Sequence, residues 1–124
     1  MKFCALMLWM AAFPAPPSSD RLEIPPELLA EWHTDAAWIV AGRALDLGAT
    51  EYAHAVNPGF REFNPLMRDP GVKYVANAAF VVGASLACRE LRRRGRPGLA
   101  KWTARAIFAV GAGLAVNAVI QGER

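Results

Sequence analysis

The sequence predicts an all-α fold: a small transmembrane helical bundle of about three membrane-spanning helices, preceded by an apolar N-terminal segment. Hydrophobic residues make up 54% of the 124, and they are gathered into blocks instead of being spread along amphipathic stripes. Arginines follow directly after one of these blocks, and proline, glycine and asparagine separate the blocks from one another. The length suits a single domain.

Two segments in the second half suit a bilayer crossing. Tyr74 to Cys88 contains no charge, and with Val72 and Lys73 it forms a helix of about 25 Å. Trp102 to Gln121 gives about 30 Å, with an arginine near its start that can reach the interface. Both segments are rich in alanine and glycine, so a soluble hairpin of two buried helices is the alternative.

A third helical segment, Ala36 to Val56, carries ionisable side chains at membrane depth. At about 100° per residue, four polar residues share one stripe, namely Arg43, Asp46, Thr50 and His54. Ionisable groups in membrane helices usually face other helices and pair. We therefore expect the stripe to face inward, with Asp46 or Glu62 pairing with Lys73 or Arg43.

The connection after this segment has the signals of a tight turn. Asn57-Pro58-Gly59 is predicted to end the helix, Asn64-Pro65-Leu66-Met67 to start a single helical turn, and Asp69-Pro70 to cap the next helix. Lys73 and Asn77 then share one face of the second span. We expect Asn117, in the third span, to form a hydrogen bond across helices.

The candidate functional residues are the polar and turn-forming side chains of these segments. They are Asp46, Thr50, His54, Glu62, Asn64, Pro65, Lys73, Asn77 and Asn117. The two cysteines, Cys4 and Cys88, have no CxxC spacing, and two histidines supply few ligands, so no metal site and no cofactor is predicted.

The chain divides into three parts by composition. Residues 1–19 are apolar and end in prolines, and they are either a cleaved secretory signal or a segment lying at the membrane interface. Residues 20–35 form an acidic lead-in whose helix begins near Pro26. Residues 36–121 form the membrane domain.

The charge distribution predicts the orientation. The segment 89–101 has five Arg and one Lys against one Glu, so the positive-inside rule puts it in the cytoplasm. The turn 57–71 and the C-terminal Arg124 then lie outside. We expect a multi-pass protein of the bacterial inner membrane.

Several of these motifs together resemble a known family. Asp46, Thr50 one turn later, an E-x-N-P-L turn from Glu62 to Leu66, and Lys73 at the start of the second span look like a family of small bacterial integral membrane proteins known only as a domain of unknown function. The resemblance covers about residues 36–121. It implies a three-helix inner-membrane protein and no particular reaction.

The sequence favours a non-enzymatic interaction or structural module in the lipid bilayer, self-associating or binding another membrane protein. Two small-residue ridges support close helix contacts: Ala79, Gly83 and Ala87, and Ala109, Gly113 and Asn117. The alternative is an intramembrane enzyme or an ion- or proton-linked site using Asp46, His54 and Glu62. A soluble nucleic-acid binder using Arg89 to Arg96 is disfavoured, because the arginines lack interleaved aromatic residues and the chain has no recognisable binding fold.

Overall fold

The computed structural model describes residues 25–62 and 65–124. Three α-helices account for most of this part: α1 (Pro26–Val56), α2 (Lys73–Arg93) and α3 (Pro97–Gly122), with a 3-10 turn, Pro65–Met67, between α1 and α2. No strand occurs among the described residues, and the predicted all-α class is confirmed. The prediction for residues 1–19 and the candidate Asn64 lie outside the described residues.

Helix α1 begins and ends where the local sequence requires. Pro26 lies in the first turn, where its missing N–H costs nothing, and Glu27 follows at the positive end of the helix dipole. At the other end Asn57 has extended backbone, with φ −136° and ψ 100°, because the following Pro58 disfavours helical geometry. The helix runs without a break through residues 35 and 36, where composition separates the lead-in from the membrane domain.

Helix α2 starts at the predicted capping segment and runs further than predicted. The Asp69 carboxylate accepts hydrogen bonds from the backbone N–H groups of Gly71 at 2.7 Å and Val72 at 3.2 Å. The helix continues past Cys88 to Arg93, so the connection to α3 is only residues 94–96. Gly95 has a φ of 71°, the left-handed geometry that glycine adopts at the end of a helix.

Helices α1 and α3 pack side by side in parallel, in near backbone contact. A Cβ atom built on Gly42 would lie 2.6 Å from the Cα of Phe108, and one built on Gly122 would lie 2.9 Å from the Cα of Ala53. Small residues on α3 make this approach possible. Those that are buried are Ala100, Ala104, Gly111, Ala115, Ala118 and Gly122.

The small-residue ridge predicted on α3 faces outward instead of packing against α1. Ala109, Gly113 and Asn117 are all exposed, and the buried small residues lie about two positions away along the helix. The prediction that Asn117 bonds across helices is therefore wrong for the described part of the chain. The reason is register, because Ala104, Gly111 and Ala118 repeat every seven residues and fix which face of α3 meets α1.

Besides an apolar core that includes Ile39, Cys88 and Leu91, the bundle buries several polar side chains and exposes many large apolar ones. The buried polar or charged residues are Asp35, Asp46, Thr50, Lys73, Asn77, Ser85 and Arg92. The exposed aliphatic residues include Val40, Leu45, Val56, Val75, Val82, Leu86, Val110, Val116 and Ile120. Among the described helices, α3 alone is long and apolar enough by composition to cross a membrane, and 22% of its apolar stretch is buried.

Candidate functional site

The centre of the polar interior is a cluster of three residues on two helices, which we call the Arg43 cluster: Arg43, Asp46 and Asn77. Arg43 Nη1 lies 3.1 Å from Asp46 Oδ2, and the Asp46 side chain is 1% exposed. Arg43 Nε donates a hydrogen bond of 2.8 Å to Asn77 Oδ1. Among the pairings that the sequence left open, the structure shows Arg43 with Asp46, and Asn77 extends this pair from α1 to α2.

Asn77 also connects this cluster to the turn. Its Nδ2 donates to the Lys73 carbonyl at 2.7 Å and lies 3.0 Å from Met67 Sδ. Met67, in the 3-10 turn, is 1% exposed. The turn is therefore packed into the bundle and does not simply cover its end.

Glu62, the first residue of the E-x-N-P-L motif, bonds to α1. Thr50 Oγ1 donates a hydrogen bond of 2.8 Å to Glu62 Oε2. Arg68 Nε donates to the Glu62 carbonyl at 2.9 Å, which closes the turn on itself. Pro65 opens the 3-10 turn and is exposed. Thr50 and Glu62 thus come together as part of one structural connection.

The partner of Lys73 differs from the one predicted. Lys73 is buried and its Nζ forms an ion pair with Glu51, not with Asp46 or Glu62. Glu51 lies beside Thr50 at the edge of the inward stripe, and its side chain is 45% exposed. The prediction failed because the long lysine side chain reaches to the rim of the bundle, where Glu51 remains hydrated.

His54 lies on the outer part of the same end. Its ring is exposed and packs edge-on against Phe60, with 4.9 Å between ring centroids. His54 and Glu62 line one cavity of about 410 Å³ together with Phe60, Arg61 and Arg68. Asp46 is not among its lining residues. The structure thus brings together two of the three residues of the enzymatic alternative and places the third in the Arg43 cluster.

A second polar cluster, which the sequence analysis missed, lies at the opposite end of the bundle. We call it the Arg92 cluster: Glu31, Asp35 and Arg92. Arg92 Nε and Nη2 donate to the two oxygens of Asp35 at 2.5 and 2.9 Å, and Arg92 also pairs with Glu31. Asp35 is 2% exposed. Its position was accessible from sequence, because Asp35 and Asp46 lie 11 residues apart and so share a helix face.

The buried charged side chains form ion pairs, and most of these pairs join two helices. Each ion pair between helices in the described residues joins α1 to α2: Glu31 and Asp35 with Arg92, and Glu51 with Lys73. No group of three or more His, Cys, Asp or Glu side chains in the described ranges could hold a metal ion. Removing one partner of such a buried pair is strongly destabilising, because the other charge then stays buried without compensation.

The family resemblance of residues 36–121 stays a prediction. Comparison with known proteins finds no family model, no curated protein and no solved structure that matches this chain. The functional conclusion therefore rests on the geometry of this chain's own residues.

Proposed function

We propose that this chain is a small integral membrane protein whose three helices all cross the bilayer, and that it serves as a non-enzymatic interaction or structural module. The observation that supports this proposal is the combination of buried, paired charges with many large aliphatic side chains on the outer surface. Exposing so many large apolar side chains to water is unfavourable, whereas in lipid the same arrangement is stable.

The helix lengths agree with three crossings. At ~1.5 Å per residue, α1, α2 and α3 measure about 46, 32 and 39 Å, against a hydrocarbon thickness of ~30 Å. The charges of α1 and α2 lower their hydropathy, but the buried ones are paired, namely Asp35, Asp46, Lys73 and Arg92. Ionisable residues inside membrane helices follow this pattern. The arginines of segment 89–101 favour a cytoplasmic position for the α2–α3 connection.

The outer face of α3 supports association with a second helix. Ala109, Gly113 and Asn117 lie exposed on this face, and a Cβ atom built on Gly113 meets nothing within 4 Å. Asn117 forms no hydrogen bond with any described residue. In lipid, an amide at such a position gains a partner by bonding to another helix, and small residues allow close approach. A second copy of the chain or another membrane protein supplies that helix.

Cell fractionation and topology mapping test the membrane location. After an alkaline carbonate wash the protein should stay with the membrane pellet. A reporter fused after Arg124 should be extracytoplasmic, and one inserted at Gly95 should be cytoplasmic. Recovery of the protein in the soluble fraction would contradict the membrane location, and the opposite reporter pattern would contradict the orientation.

Cysteine cross-linking tests the association. In a chain whose native cysteines are replaced by alanine, Gly113→Cys should form a disulfide-linked species in the native membrane, because residue 113 faces outward. The matched control is Ala115→Cys, whose position is buried against α1, and it should not cross-link. Equal yields from the two variants, or monomer alone with no co-purifying protein, would count against the interaction role.

A further inference from the structure

A cavity of about 390 Å³ opens beside the Arg92 cluster, between the segment of α1 from Glu31 to Trp38 and the first three turns of α3. Its wall includes Thr34 and Trp38 from α1, Arg92 from α2, and Gly98, Lys101 and Arg105 from α3. The volume lies within the range of small-molecule sites. The outer face of α3 that we propose as a helix contact does not line this cavity.

The cavity has more positive charge than its own carboxylates neutralise. Glu31 and Asp35 also line it, but both are paired with Arg92. Lys101 and Arg105 form no ion pair with any carboxylate in the described part of the chain. Two cations therefore remain available to one anionic group.

The Arg105 side chain is held between two indole rings. Its guanidinium carbon lies 5.7 Å from the ring centroid of Trp38 and 5.7 Å from that of Trp102. Stacking on aromatic rings restricts a guanidinium while leaving its edge N–H groups free to donate. A planar fork of donors presented in this way suits the oxygens of a phosphate group.

The start of α3 adds donors to the same wall. Pro97 has no N–H group, and the Ala100 N–H donates to the Arg96 carbonyl at 3.2 Å. In the first turn, the N–H groups of Gly98 and Leu99 are therefore the ones without an acceptor inside the helix. Gly98 lies in that turn, and a Cβ atom built on it meets nothing within 4 Å. The positive end of the helix therefore reinforces the attraction that Lys101 and Arg105 exert on an anion.

The position of the cavity indicates where the anion comes from. Trp102 is 66% exposed beside the arginine-rich connection, and tryptophan is enriched at the level of lipid headgroups. Basic pockets between helices on the cytoplasmic side bind anionic headgroups. We infer that Lys101, Arg105 and the first turn of α3 bind the phosphate group of an anionic lipid of the cytoplasmic leaflet, an inference that rests on the membrane location proposed above.

The thermal unfolding of the purified full-length chain in an uncharged detergent tests this site. The added probes are short-chain phosphatidylglycerol, short-chain phosphatidylcholine, glycerol phosphate and inorganic phosphate. Phosphatidylglycerol should raise the unfolding midpoint in a saturable manner, because it binds the folded state. Phosphatidylcholine, whose phosphate is accompanied by a cationic group, should raise it much less.

Two charge-matched double variants separate the cavity from general attraction to a basic loop. Lys101→Gln with Arg105→Gln should weaken the phosphatidylglycerol effect by about tenfold or more in apparent Kd. Arg93→Gln with Arg96→Gln removes the same charge at the same end without touching the cavity wall, and should change it by less than about twofold. If the first double variant does not fold, Lys101→Gln alone is used, with Arg96→Gln as its control.

Each outcome decides the inference. Equal weakening in both double variants, or equal effects of phosphatidylglycerol and phosphatidylcholine, would overturn the site. If glycerol phosphate or inorganic phosphate raised the unfolding midpoint as much as phosphatidylglycerol does, the cavity would be a phosphate site, but the lipid would not be the source of the phosphate. The two phosphate probes can be tested without a membrane. Recovery of the chain in the soluble fraction would therefore contradict the proposed function, and the phosphate site would still be tested by thermal unfolding.

Discussion

Asp35 and Arg92 lie 57 positions apart in the chain and meet through two parallel hydrogen bonds, of 2.5 and 2.9 Å, that fasten the start of α1 to the end of α2. Both side chains are buried. A buried pair of this geometry constrains the register of the two helices. It also leaves a large penalty if one partner is removed.

Arg92→Met should therefore be strongly destabilising. The substitution leaves the Asp35 carboxylate buried without its main partner, which should lower the free energy of unfolding by about 3 to 5 kcal/mol. Adding Asp35→Leu should recover much of this loss, since both polar groups are then gone. Denaturant unfolding in a mild detergent measures the free energy of unfolding of each variant. Arg93→Gln is the exposed control and should change this free energy by about 0.5 kcal/mol or less. Failure of the double change to recover stability would contradict the pairing.

Lys73→Met should cost much less than the loss of Arg92. The Glu51 carboxylate left behind is already 45% exposed, so water can replace the ammonium, and we expect a loss of about 1 kcal/mol or less. Asp46→Leu should cost several times more, because the largely buried Arg43 guanidinium loses the carboxylate that it pairs with. The same unfolding measurement applies. If Lys73→Met and Asp46→Leu cancelled each other in combination, Lys73 would be paired with Asp46 and not with Glu51.

Gly111→Ala should destabilise the bundle, because a Cβ atom there would lie 2.9 Å from the Cα of Gly42 and would push α1 and α3 apart. The expected loss is about 1 to 3 kcal/mol, as for other overpacked cores. Gly48→Ala is the matched control, since its Cβ meets nothing within 4 Å. The control should be neutral or stabilising by up to about 1 kcal/mol, because alanine favours the helix. Comparable effects of the two changes would argue against the close α1–α3 contact.

The Thr50–Glu62 hydrogen bond should be measurable as a coupling between helix and turn. In a double-mutant cycle of Thr50→Val and Glu62→Leu we expect an interaction energy of about 0.5 to 1.5 kcal/mol. Thr50→Ser keeps the hydroxyl donor and should retain most of the coupling. Additive effects of Thr50→Val and Glu62→Leu would show that the turn does not depend on this bond.

Local signals predicted much of the fold. The proline and asparagine positions predicted the end of α1 at Val56 and the 3-10 turn at Pro65, because proline restricts its neighbours wherever it occurs. Helical periodicity correctly predicted that Asp46 and Thr50 face inward. The same prediction was wrong for His54, which is exposed because it lies at the end of α1, where Phe60 packs on its ring. The features predicted correctly depend on a few adjacent residues or on one helix, which a sequence displays directly.

The partners across helices were harder to predict. Lys73 pairs with Glu51 because of side-chain reach and the rotation of α1 against α2, which local periodicity does not determine. The sequence placed Arg92 in the arginine-rich segment 89–101 that follows the second span, yet α2 continues to Arg93 and turns Arg92 inward. The outward position of Asn117 depends on which small residues of α3 meet Gly42, a property of two helices together.

The two kinds of helix contact have a consequence for how the chain is made. Every ion pair between helices in the described residues joins α1 to α2, whereas α3 packs on α1 through alanine and glycine. A ribosome adding ~5 to 20 residues per second needs about 1 to 4 seconds to proceed from Arg92 to Gly111. During that interval the nascent hairpin of α1 and α2 already contains the opposite charge for each paired residue. Under the membrane location proposed above, the hairpin enters lipid with these pairs already formed. The last helix then docks without having to bring a charge with it.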